Sequence, residues 1–267
     1  TIARSVVVGS AVAVLGTAVA REGATNIGAY RWTNVRPTVP FDPTMWAPRA
    51  GLQVLELRND LYVMGGRGPF SFETETVLFG DVWKSTDVGA TWHKMAQWQP
   101  GSVTSAMWSP RAYFGAVTHR GRMFVIGGQN FETKPNPIYP SGCALLPPGV
   151  PCLPFLPDST FFDEVWSSGD GATWTPETLD AALQPFQVAI DSGVHKGAIY
   201  VLAGSQGDDA STGGTGRVLF NDVWMSRDGR TWTELVVRGP RWSPRAGAAV
   251  VSKDGYIYLL GGERGFT

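Results

Sequence analysis

Three arginines recur in one phrase: "WAPRAG" (46–51), "WSPRAYFG" (108–115) and "WSPRAG" (242–247). A guanidinium fork can grip a carboxylate or phosphate through two parallel N–H bonds. A ring of Arg49, Arg111 and Arg245 is therefore the first candidate for holding an anionic ligand. The alternative use is internal, in bonds to carbonyls or to an acid of a neighbouring structural unit. Other reactive residue types are sparse. Cys143 and Cys152 close the run "CALLPPGVPC" and are too few for a four-ligand metal site. They suit a disulfide in an oxidising compartment, worth roughly 2.5–3 kcal/mol in the chain-entropy model, or else a pair of free thiols. His93, His119 and His195 have no metal-ligand spacing, so no metal is expected. Acids are scattered through loops (Glu73, Glu75, Glu132, Asp158, Asp208, Asp209), with no pair marked out for glycosidase chemistry. A nucleophile elbow, a phosphate loop and a His-Glu-x-x-His motif are all missing. The sequence thus marks no catalytic residue and no cofactor.

The elements that must position these residues follow from repetition. A Trp phrase occurs as "DVWKSTDVGATW" (81–92), "DEVWSSGDGATW" (163–174) and "NDVWMSRDGRTW" (221–232). A di-Gly closes an apolar run at "LYVMGG" (61–66), "MFVIGG" (123–128), "IYVLAG" (199–204) and "IYLLGG" (257–262). The landmarks keep their order, and Arg49, Arg111 and Arg245 each precede the first Gly of their cycle by 16 residues. The third cycle departs, with Pro185-Phe186-Gln187 at the Pro-Arg position and Ala203 before Gly204. Each cycle reads as four short strands, a to d. Strand a follows Pro-Arg, b ends in di-Gly, c carries Val-Trp, and d follows an Asp-Gly turn. The chain is rich in Gly (33), Pro (19) and Trp (11), which suits short strands and tight turns rather than long helices. Repeated four-stranded units argue an all-β propeller.

The di-Gly after an apolar strand, with a Trp beyond it, resembles the Kelch repeat of the galactose-oxidase-like propellers. The turn phrase also resembles the Asp-box hairpin of sialidase-like propellers. The resemblance covers residues 46–262. It implies radial, antiparallel, four-stranded blades around a channel. Blade 1 spans 46–107, blade 2 spans 108–184 with a long b–c loop at 129–161, and blade 3 spans 185–241. Residues 242–267 give strands a and b of a fourth, so the chain reads as a piece of a longer protein. The stretch 21–45 reads as a linker, in which "YRWTNV" (30–35) resembles a closing strand d.

The repeated residues read as architecture. Gly65, Gly66, Gly127, Gly128, Gly204, Gly261 and Gly262 close strand b. Trp83, Trp166 and Trp224 would seal each blade against its neighbour, each burying roughly 150–250 Å², or roughly 4–6 kcal/mol as an upper bound. The alternative for these rings is a stacking platform for sugars or bases. Asp87, Asp170 and Asp228 would fix tight turns by accepting backbone N–H bonds, with Trp92, Trp174 and Trp232 covering each hairpin.

Function then falls to the loops. The b–c loops are expected at 67–80, 129–161 and 205–220, on the same face as the arginines. Phe131 and Tyr139 in the longest loop are candidate contact residues. Lys plus Arg (22) balance Asp plus Glu (23) without a basic run, which argues against nucleic acid. "TIARSVVVGSAVAVLGTAVA" (1–20) reads as a secretory signal ending in Ala18-Val19-Ala20, too short and Ala/Gly-rich for a membrane span. Its alternative is a strand pair turning at Gly9-Ser10. The expected function is a secreted scaffold that binds a protein or glycan through its loop face. The alternatives are a carbohydrate-active enzyme of the sialidase, oxidase or epimerase kind, and a cytoplasmic interaction module.

Overall fold

The computed structural model describes residues 35, 44–69, 76–101, 106–130, 132–146, 152–178, 195–208 and 216–264, with backbone alone for 3–9, 12–18 and 191–194. Phe131, Pro185-Phe186-Gln187 and residues 30–34 lie outside the described residues.

The first strands, β1 (Ala3–Gly9) and β2 (Val12–Ala18), pair antiparallel with Val7 opposite Val14. This is the strand-pair alternative for the segment.

Three four-stranded antiparallel sheets follow. Blade 1 is β3 (Gln53–Leu57), β4 (Asp60–Met64), β5 (Asp81–Ser85) and β6 (His93–Gln97), in that order. Blade 2 contains β7 (Gly115–His119) and β8 (Arg122–Ile126). Its b–c loop forms a small hairpin of β9 (Thr133–Pro135) and β10 (Phe155–Pro157). The blade then continues with β11 (Val165–Ser168) and β12 (Thr175–Thr178). Blade 3 is β13 (Asp191–His195), β14 (Ala198–Gln206), β15 (Val218–Ser226) and β16 (Trp232–Glu234). Last come β17 (Ala246–Lys253) and β18 (Tyr256–Glu263), a two-stranded sheet. The first strands of successive blades, β3, β7, β13 and β17, lie side by side, as they do around a propeller axis.

One detail differs from the expected loops. The loop expected at 205–220 begins and ends in strand. β14 and β15 run on past Gly204 as a hairpin, Gln206 opposite Val218, with a register shift between Leu202 and Gly204. His119 and His195 are the buried last residues of β7 and β13. His119 Nε2 lies 3.0 Å from the Arg227 carbonyl of the next blade, and His195 Nδ1 lies 2.7 Å from Ser252 Oγ.

The core sits between blades. Strand b is buried on both faces in blade 1, where Leu61 to Met64 are all buried. One face carries Tyr62 and Met64 into a cluster with Trp108, Phe114, Trp166 and Trp174 of blade 2. The corresponding face of blade 2, with Phe124 and Ile126, meets Ile199 and Val201 of blade 3, with Trp224 and Trp232 packed alongside. The period-2 alternation of each strand thus serves two neighbours at once. The close approach of blades explains two turn glycines. A Cβ at Gly171 would lie 2.7 Å from Tyr62 Cε1, and one at Gly229 would run into Phe124.

Candidate binding face

The three arginines, the di-Gly corners and the b–c loops meet at one end of the blades. Arg111 is fully buried. Its Nε donates to the Ser109 carbonyl (3.0 Å) and one terminal nitrogen to the Gly127 carbonyl (3.0 Å). The other terminal nitrogen donates to Ser109 Oγ (3.0 Å) and Glu164 Oε1 (2.8 Å). The guanidinium carbon lies 3.8 Å from the Phe162 ring centre. Arg49 repeats this pose on the Ala47 and Gly65 carbonyls, the Asp81 carboxylate and the Phe79 ring. In each case the carboxylate also accepts an indole N–H two residues on, Trp83 on Asp81 (2.8 Å) and Trp166 on Glu164. Trp224 bonds Asp222 in the same way (2.9 Å). Burial pulls the Arg111 pKa down, and the Glu164 charge works against that pull.

This geometry makes Arg49 and Arg111 internal braces, each bonded to an acid of its own blade. The sequence reading had placed that acid in the next blade. The link to the neighbouring blade runs through the backbone instead. The Arg111 carbonyl accepts from Gly66 of blade 1, and the Arg245 carbonyl accepts from Gly204 of blade 3, both at 2.8 Å. Arg245 takes the same pose on Ser243 and on the Gly261 carbonyl but is only half-buried.

The glycine corners are forced. Gly65, Gly66, Gly127, Gly128, Gly204, Gly261 and Gly262 all have positive φ, and Ala203 takes φ 56° where the other blades have Gly. A Cβ on Gly66 would come within 2.9 Å of the Ala50 carbonyl.

The Asp-Gly hairpins lie between strands c and d. Ser85, Ser168 and Ser226 each accept the turn-glycine N–H at 2.8 Å. Asp170 accepts from Ala172 and Thr173, and Asp228 from Arg230 and Thr231. Asp87 reaches one residue further, to the N–H and hydroxyl of Thr91, because Val88 is inserted at φ 61°. Trp92, Trp174 and Trp232 cap the turns by donating to Gly89, Gly171 and Gly229. The Thr91 hydroxyl is the main cause of an Asp87 pKa lowered to about 2.

Above the corners, a polar contact spans each junction between blades. Arg67 donates to Tyr113 Oη at 3.0 Å, Ser159 Oγ donates to Asp208 Oδ1 at 2.7 Å, and Arg217 pairs with Glu263. The sequence marks Asp208 only as a loop acid and does not single out the other junction residues, nor Asp81, Glu164, Phe79 and Phe162. The braces had a visible signal, a Phe four residues and an acid two residues before the strand-c Trp. The junction contacts had none.

The long loop of blade 2 projects from this end. It is held by Asn130, whose side-chain oxygen accepts from Thr160 N–H (2.7 Å), and by the β9–β10 pair. A Cys143–Cys152 disulfide closes its tip over a turn of 3-10 helix at Cys143–Leu145. Ile138, Tyr139 (46% exposed) and Leu145 (89%) stand outward. Among the described residues, no group of three His, Cys, Asp or Glu is placed to hold a metal ion, and no helix is long and apolar enough to cross a membrane.

A Kelch motif model matches residues 110–138, from the Pro-Arg of blade 2 through its di-Gly into the long loop. The chain carries a Kelch motif. The motif and the antiparallel four-stranded sheets fit a Kelch-type propeller, with three four-stranded blades and the β17–β18 pair among the described residues. No curated protein matches it.

Proposed function

We propose that this Kelch-type chain is a secreted protein-binding scaffold that works through its b–c loop face. The observation that carries the reading is the blade 2 loop. It is anchored at its base, closed by a disulfide, and presents Ile138, Tyr139 and Leu145 to solvent. Apolar side chains on a braced projection favour a protein partner, because little ordering entropy is lost on docking. The disulfide supports an oxidising compartment, and the first 20 residues supply a signal-type sequence. Arg49 and Arg111 are committed inside the blades, so an anionic glycan would have to use other groups.

The test compares the intact chain with Tyr139→Ser/Leu145→Ser as bait in conditioned medium. Proteins retained by the intact chain and lost by an equally stable variant support the reading. Retention that does not depend on the loop refutes it. Intact mass of secreted material tests cleavage after Ala20.

A further inference from the structure

The end of the blades opposite the b–c loops is formed by the a–b and c–d turns. Each a–b turn of blades 1 to 3 has two residues, fixed by the pairing of Leu57 with Asp60, His119 with Arg122 and His195 with Ala198. Both turn residues take positive φ, the two-residue hairpin geometry that favours Asn, Asp and Gly. The second residue follows that preference, as Asn59, Gly121 and Gly197. The first does not. It is Arg58 (φ 54°), Arg120 (φ 47°) and Lys196 (φ 47°). A long cation is thus kept three times where it strains the backbone, and such strain gathers at functional positions.

Neighbouring blades bring these cations together. Their first strands lie side by side, and Thr118 Oγ1 donates to the Glu56 carbonyl at 2.8 Å, which sets the Arg58 turn beside the Arg120 turn. The Arg227 carbonyl, in the c–d turn of blade 3, lies 3.0 Å from Nε2 of His119, the residue before Arg120. The Lys196 ammonium rests over the next a–b turn, 3.9 Å from where a Gly255 Cβ would stand. Arg58, Arg120, Lys196 and Arg227 are all exposed, and among the described residues no side-chain hydrogen bond or ion pair engages them. The acids near these turns are occupied. Asp60 pairs with Lys84, Glu177 with Arg230 and Asp254 with Lys253. Asp228 holds the N–H groups of its own turn, and Glu56 has a partner too.

We propose that Arg58, Arg120, Arg227 and Lys196 bind a sulfated linear polysaccharide across this end of the blades. The four charges stand singly on turn tips, which suits a ligand that carries its own charges in series. Sulfate oxygens accept the paired N–H groups of a guanidinium. A protein partner would call for an apolar centre, whereas the residues beside these tips are Asn59, Gly121 and Gly197. The choice of a glycan over a nucleic acid rests on the proposed secretion.

The probe is a labelled, size-fractionated heparin oligosaccharide, titrated into the full chain by fluorescence anisotropy at several salt concentrations. Saturable, salt-sensitive binding is expected. Arg58→Asn/Arg120→Asn should weaken it by at least about tenfold and lower the log–log salt slope by about two, one for each cation removed. Asn favours the φ of these turns, so the variant should melt no lower than the parent, and misfolding cannot imitate the loss. Lys134→Gln, on the long loop at the other end, should bind like the parent, as should Tyr139→Ser/Leu145→Ser, so this site and the loop reading fail separately. A DNA duplex of equal charge should bind more weakly. Absence of saturable binding, equal binding by the Asn variant, or an equal loss in either loop variant overturns the proposal. Equal or tighter binding of the duplex overturns the assignment to a glycan.

Discussion

Replacing Arg111 by Met separates a brace from a ligand-binding group. The side chain is 0% exposed and its partner Glu164 is 20% exposed. Met fills most of the volume and lies against Phe162, but it donates nothing. Removing one member of a buried pair costs about 3–5 kcal/mol, because the other charge stays behind. Glu164 keeps the Trp166 indole and some water, which points to the lower end, about 3 kcal/mol. For a chain of this size that is a fall in Tm of roughly 6–12 °C. Arg245→Met should cost only about 1 kcal/mol, because it strands no carboxylate among the described residues. The assay is urea unfolding together with calorimetry on both variants. A cycle with Glu164→Gln should show a coupling of about 1–3 kcal/mol. Equal losses for Arg111→Met and Arg245→Met, or additivity in the cycle, would refute the brace. An Arg111→Met chain of unchanged stability would return this arginine to the list of ligand groups.

Gly128→Ala places a Cβ 2.8 Å from Phe114 Cβ at φ 100° and should cost about 2–3 kcal/mol. Gly121→Ala, at φ 74° with nothing within 4 Å, should cost only about 1 kcal/mol, and equal thermal shifts would contradict the steric account. Asp87 has its pKa lowered from 3.8 to about 2, so the unfolded chain takes up that proton first. Its contribution to stability is complete above about pH 4 and is lost as pH falls toward 2. Asp87→Asn should therefore flatten this part of the acid limb in a Tm–pH series, and an unchanged slope would remove Asp87 from the account. Cys143→Ser should open the blade 2 loop to protease between residues 136 and 152, with at most about 2.5–3 kcal/mol lost overall. Resistance equal to that of the parent would show that the loop is held by other contacts.

The strands were legible because each is bounded by residues with few alternatives. A di-Gly at positive φ ends strand b, and an Asp-Gly turn separates c from d. The hairpin bonds were legible for the same reason, being local. The braces were only half legible. Arg49 meets an acid 32 positions on and Arg111 one 53 positions on, because the b–c loops between them differ in length. No fixed spacing links Arg to acid, although acid, Val and Trp recur together. The third blade hid its strand extension, since Ala203 and Gly204 look like the corner that ends strand b elsewhere. The junction contacts were not legible at all. An Arg–Tyr, a Ser–Asp and an Arg–Glu contact do one job with three chemistries, and repetition cannot reveal what does not repeat.

That contrast says where this scaffold can vary. The Pro-Arg arginine works in two directions at once. Its guanidinium ties strands b and c of its own blade, and its carbonyl receives the di-Gly N–H of the blade before. A side-chain substitution there loosens one blade but leaves the inter-blade bond in place, because any residue supplies a carbonyl. Above the corners the junctions need only some polar contact, so the rim and the loops it carries are free to change. The blade 2 loop, with its own hairpin and disulfide, uses that freedom without disturbing the register of β8 against β11. Under the proposed function recognition falls to that rim and not to the braces, because a group fully bonded inside a blade has nothing left to offer a partner.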